Sequence, residues 1–131
     1  MISSDAFNFI NVLDKAADSS WTRETVIVNN LANVDTPGFK RQDVEFESIL
    51  KDELTKIGYN TLTKAVKGIN DDLDALEGVT YTDYEHFSYR LDGNNVDVDT
   101  ENVELASEQI RYEALTSSIS QEFARFNTVL K

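Results

Sequence analysis

The sequence predicts a mainly α fold, in which a long N-terminal and a long C-terminal helix pack as an antiparallel coiled-coil-like pair around a small irregular or β-hairpin middle region. Three observations predict it. Apolar residues recur every three or four positions near both ends, the chain's single proline sits in a Pro-Gly pair that stops the first pattern, and the middle is polar and glycine-punctuated. The expected divisions are residues 1–33, 34–98 and 99–131: helix, mixed middle region, helix.

In the first segment Ile10, Leu13, Ala17, Trp21, Val28 and Leu31 form the expected buried stripe, with a gap at Glu24. This predicts a helix from about Ser4 to Ala32, with "DSS" at 18–20 as its weakest point. "NNLANVDTPGFKR" at 29–41 then ends it. Asn33 suits a left-handed C-cap, Thr36 is pushed toward extended backbone by the proline, and Pro37-Gly38 suits the centre of a type II turn.

Beyond the turn, "FESILKDELTKI" places Phe46, Ile49, Leu50, Leu54 and Ile57 on one helical face. Gly58 to Gly78 reads as a weakly ordered connection, and "VTYTDYEHFSYRL" as a short hairpin carrying Val79, Tyr81, Phe87, Tyr89 and Leu91.

The last segment is the most periodic. Leu105, Tyr112, Leu115, Ile119, Phe123, Phe126 and Leu130 form a heptad-like stripe, which Val103, Ala106 and Ile110 widen at its start. Asp97 or Asp99 can cap this helix, and Glu101 and Glu104 lie where its dipole favours anions. A helix from about Asp99 to Val129 would be roughly 45 Å long. Two such helices cannot cover both stripes by themselves, and the apolar surface left over favours self-assembly.

Composition narrows function. A 131-residue chain with formal net charge −12 lacks the clustered Lys and Arg that a nucleic-acid partner requires. The acidic excess peaks between Asp71 and Glu108, where twelve Asp and Glu face one arginine, Arg90, a pattern that usually marks a solvated face. Without cysteine there is no disulfide, thiolate metal site or cysteine nucleophile. No apolar run approaches a membrane span, and the N-terminus lacks the basic start and apolar core of a cleaved signal peptide.

Catalysis is not expected. The sole histidine, His86, lies among aromatics, and no nucleophile motif, phosphate loop or dinucleotide fingerprint occurs. A calcium loop in "DGNNVDVDTENVE" at 92–104 would make the chain a secreted helical ligand-binding protein. Counted from Asp92, however, the fifth position is Val96 and the sixth Asp97, and counted from Asn95 the sixth is Thr100 and the twelfth Ala106. Neither register supplies the ligands, so no cofactor is expected.

The two ends together carry a resemblance. Asn30, Ala32, Asn33, Thr36, Pro37, Gly38, Phe39, Lys40 and Arg41 resemble the signature of the bacterial flagellar rod and hook proteins, with Phe39 where tyrosine is commoner. Gly93, Asn94, Val96, Asp97, Ala106, Arg111 and Tyr112 resemble the proximal-rod members of that family. The Met-rich helix and Arg-Ala-Tyr element of the other rod and hook members are missing. The resemblance spans about Val26 to Phe46 and Gly93 to Leu130, leaving Gly58 to Leu91 unmatched.

It implies a structural subunit of the proximal rod, or failing that another axial subunit. The terminal helices would build the inner core, and the Thr-Pro-Gly turn would send the chain to the outer layer. Asn29, Asn30 and Asn33 would satisfy backbone groups at the helix end or bond a neighbouring subunit. Implied partners are further copies, other rod proteins, the basal (MS) ring with its rod-adaptor protein, and the type III export gate, reached without cleavage. Phe46 and Leu50 have the form of an export element: a Phe, three variable residues and a second apolar residue.

Overall fold

A computed structural model describes residues 4–56, 58–84 and 90–130, with side chains from residue 7. Expectations resting on Ile57, His86, Phe87 and Tyr89 lie outside the described residues.

The N-terminal helix α1 spans Ser4–Ala32 without a break at "DSS". After it come β1 (Gln42–Glu45), α2 (Glu47–Leu54), α3 (Leu62–Asp71), a 3-10 turn at Leu73–Ala75, β2 (Val79–Thr82) and α4 (Val98–Val129). Helices α1 and α4 pack antiparallel, since Phe7 stacks on Phe126 at 4.9 Å between ring centroids while Asn30 reaches Glu101 at the opposite end.

The face that α1 buries is not the expected stripe. Ile10 and Ala17 are inside, but the row continues through Ser20, Arg23, Ile27 and Asn30, while Trp21 and Val28 are 59% and 52% exposed. Reading only apolar residues shifts the face by one position, because half of the true inner row is polar. Helix α4 goes further: its only fully buried side chains are Glu101 and Glu108. Leu105, Tyr112, Leu115, Ile119 and Phe126 are half-buried, whereas Phe123, Leu130, Val103, Ala106 and Ile110 are exposed.

The middle region is more ordered than its composition suggests. Helix α3 stands where a weakly ordered connection was expected, because Thr61 caps it by accepting from the Lys64 N–H and because Ala65, Val66 and Ile69 share one buried face. Gly68 breaks the apparent pattern yet sits inside the helix, where a Cβ would lie 2.0 Å from the Tyr59 hydroxyl. The glycine makes room for that ring. Asn70 fastens α3 to α1, donating to the Asn8 carbonyl and accepting from Asn11.

Of the expected local hairpin only the first arm, now β2, lies wholly within the described residues. Strand β2 pairs antiparallel with β1, far earlier in the chain, with Val44 opposite Thr80 and Asp43 opposite Tyr81. Phe46, Ile69 and Leu76 form the apolar core, flanked by Val12, Ala16, Ile49, Leu50, Leu54 and Leu73. The greasy half of the molecule therefore lies beside the N-terminal half of α1. The other half is held differently.

Candidate functional site

The two segments that carry the family resemblance are docked on one another. Thr36 to Phe39 forms the expected turn, closed by Phe39 N–H donating to the Thr36 carbonyl at 3.2 Å, with Gly38 at φ +74°. Replacing Gly38 with Val should therefore destabilise the turn by roughly 1–3 kcal/mol, read by urea denaturation, while Thr36→Ser stays near the parent.

Asn33 is not the expected left-handed cap, because among the described residues only glycines have positive φ. Its amide instead donates to the Asn29 carbonyl, and Thr36 donates to its side-chain oxygen. The carbonyls just beyond the helix end are gathered from the far motif. The buried Asn94 side-chain amide lies 2.8, 3.0 and 2.9 Å from the carbonyls of Asn33, Val34 and Thr36. Around it, Gly38 N–H donates to Asp92 O, Asn95 N–H to Phe39 O, Lys40 to Gly93 O and Arg41 N–H to the Asn95 side chain. Of the C-terminal motif, Val96 is buried and its N–H donates to Asn94 Oδ1, and Asp97 caps α4 by accepting from Asp99 and Thr100.

Asn30 is likewise used inside its own chain. It donates to the Gln42 carbonyl and accepts from the Gln42 N–H, so the backbone it satisfies is that of β1 and not of its own helix end. This pairing fixes where β1 leaves α1. Ala32, Pro37 and Ala106 stay on the surface.

Two buried arginines complete the site. Arg41 bonds Glu101 at 2.5 Å and Asp83 at 2.6 Å, joining the turn, the end of β2 and α4. Arg23 bonds Glu108 at 2.9 Å, Glu47 at 2.6 Å and the Val44 carbonyl at 2.7 Å, joining α1, α4, α2 and β1. Ser20 donates to the second Glu108 oxygen, and Arg111 of the C-terminal motif reaches both Glu47 and Glu108. Tyr112 tilts against Trp21. Among the described residues no buried side-chain polar atom lacks a partner.

The acidic run is therefore only partly a solvated face. Asp83, Glu101 and Glu108 are buried, the two glutamates at 1% and 2% exposure. A sequence signal existed: Glu101, Leu105, Glu108, Tyr112, Leu115 and Ile119 are spaced four and three in turn, so the glutamates belong to the inner stripe.

Electrostatics agree with the geometry. Burial alone would lower the Arg23 pKa, but hydrogen bonds with Glu47 and Glu108 outweigh it and carry it above its ordinary value. Arg41 is raised in the same way, Glu101 and Asp83 prevailing over burial. The Arg23 hydrogen bond lowers Glu47 from 4.5 to about 2. A depressed carboxyl stabilises the fold above its unfolded pKa and stops doing so as pH falls through the folded one, so Glu47 contributes fully above 4.5 and loses its contribution toward 2. Solvent screens this half-exposed group, which keeps its share of stability modest. A carbon-detected titration should place its midpoint near 2, and a midpoint near 4.5 would mean that the latch to α1 is not closed.

No catalytic constellation emerges from these contacts; the arrangement joins chain segments. Phe46 is buried in the apolar core and Leu50 is half-buried beside it, so the expected export element is packed away in the folded chain. No helix of the described residues is long and apolar enough to cross a membrane.

Comparison with known proteins agrees. Residues 24–40, from the last turns of α1 through the Pro-Gly turn, match the family model described as flagella basal body rod protein. The chain is similar to the flagellar basal body rod protein FlgB of Bacillus subtilis, at 35% identity over 126 residues and 92% of each chain. It is also similar to FlgB of Borreliella burgdorferi, at 35% identity over 83% of this chain and 85% of that one, and of Escherichia coli, at 30% over 83% of each. With relatives of 30% identity or more matching over most of its length, the chain belongs to the FlgB family of flagellar basal-body rod proteins, structural components of the rod and not enzymes.

Proposed function

We propose that this rod subunit forms part of the proximal rod, joins the basal ring and export-gate region to the rest of the axis, and transmits torque. The observation that best supports the reading is the apolar surface outside the α1–α4 pair. Val28 on α1, Val103, Ile110 and Phe123 on α4, and Leu130 just past the end of α4 are exposed. Exposed apolar side chains on the two helices are what neighbouring subunits would cover. Residues 1–33 and 99–131 would then be the rod-core segments, their outer faces packing coiled-coil-like against further copies and other rod proteins, and 34–98 the outer layer. The partners at the base are the MS ring and its rod-adaptor protein, and the subunit would occupy the periplasmic part of the rod after uncleaved export. Electron cryo-microscopy of basal bodies carrying a tagged chain tests this. Density for the tag at the ring-proximal end of the rod supports the reading, and density confined to the distal rod or hook overturns it.

Export through the type III gate would use Phe46 and Leu50 as paired apolar anchors in the unfolded chain. Because both also pack in the core, a Phe46→Ala, Leu50→Ala variant must be compared with Leu76→Ala, which opens the same core outside the element. Less periplasmic protein for the double variant alone supports an export role. Equal amounts leave only packing.

A further inference from the structure

Helix α1 stops at Ala32 without a left-handed residue at its end. Residues 33 to 36 contain no glycine, and all of them keep negative φ. Asn33 N–H is shared between the Asn29 and Asn30 carbonyls, both at 3.1 Å, so the tightening to three-residue turns starts there and continues with Val34 N–H on Leu31 O and Thr36 N–H on Asn33 O. Residues 33 to 35 hold neither proline nor glycine. Only beyond them does Pro37 intervene, since it disfavours helical backbone at Thr36 and offers no N–H.

Besides the local side-chain bonds of Asn33 and Thr36, the segment is held from far along the chain. Asn94 shares its two N–H donors among three carbonyls of this segment, Arg90 donates to the Val34 carbonyl, and Asp92 O accepts from Gly38 N–H at 2.7 Å. Asn94 is itself fixed, through Oδ1, to the Val96 N–H beside the start of α4.

We propose that residues 33–36 are a two-state segment whose state is set by Asn94. With Asn94 docked, α1 ends at Ala32 and the chain leaves through the Pro37-Gly38 turn. With Asn94 undocked, α1 extends to Asp35 and the outgoing strand loses its starting direction. The exit of the N-terminal helix is thus controlled by the loop that enters the C-terminal one, whatever place the subunit takes in the rod.

Two measurements on the full-length chain test this. Asn94→Asp keeps the size and the acceptor toward Val96 but replaces both donors with an oxygen facing three carbonyls. It is expected to lower protection of the Gly38 and Phe39 amides by about tenfold or more, and to move the carbon shifts of residues 33–35 to helical values. A chain that merely loses a stabilising bond would not lengthen a helix. Unchanged shifts and protection at these sites would overturn the proposal.

The second measurement needs no variant and so does not depend on whether the first one folds. In native-state hydrogen exchange of the parent chain, the amides of Gly38, Phe39, Asn95 and Val96 should open together, with one denaturant dependence, and before Val26 and Ile27 in the body of α1. Opening of Gly38 and Phe39 apart from Asn95 and Val96, or only with the whole molecule, would overturn the coupling.

Discussion

Replacing Arg41 with methionine should cost the chain about 3–5 kcal/mol, a large share of the stability of a domain this size. The substitution removes one cation and leaves two carboxylates without it, Glu101 at 1% and Asp83 at 7% side-chain exposure, neither able to turn to water. Urea denaturation measures the loss. The logic has a second arm: neutralising the stranded acids, as in Arg41→Met with Glu101→Gln and Asp83→Asn, should recover a substantial part of it. The exposed pair Arg125–Glu122 on α4 is the internal control, and its removal should change stability by less than about 1 kcal/mol. If Arg41→Met behaved like Arg125→Met, the buried ion pairs would not be holding α4 to the turn.

The second large effect lies in the apolar half. Phe46 is 4% exposed and packs with Ile69 and Leu76, so Phe46→Ala should cost about 3–5 kcal/mol through lost burial and the cavity left behind. Phe46→Leu keeps most of the apolar volume and should cost much less. A loss below about 1 kcal/mol for Phe46→Ala would mean that the core collapses around the site or that the ring is not in it. Together the two substitutions separate the two ways the chain is held: one half by buried apolar side chains, the other by arginines and amides.

That division explains what the sequence revealed and what it hid. Both long helices were legible almost to their ends, because periodicity sustained over some thirty residues, a single Pro-Gly pair and the Asp97 cap all act locally. Helix α3 was hidden because its buried face has only three residues and Gly68, which looks like a breaker, is there for the Tyr59 ring. The partner of β2 was hidden because a four-residue strand carries no mark of which distant strand it joins. At the site, the motif residues were visible as motifs, but their meeting was not. That Asn94 closes the end of α1 depends on three carbonyls far back in the chain, and carbonyls leave no trace in a sequence. Glu101 and Glu108 were misread because charge was taken as a sign of surface, and Arg23 was passed over, although their spacing already placed all three in the inner rows of their helices.

The buried glutamates of α4 also have a consequence for how the two long helices find each other. Leucine against leucine tolerates sliding by a turn, because every position in such a seam resembles the next. Here Glu101 must meet Asn30 of α1 together with Arg41 beyond it, and Glu108 must meet Arg23 of α1, two separate appointments seven residues apart. A displacement of one helical turn, about 5 Å, would break both and leave two carboxylates in a dry seam. Helix α4 is thus locked lengthwise against α1 like a key with two teeth, and a pull along its axis meets ion pairs before it meets grease.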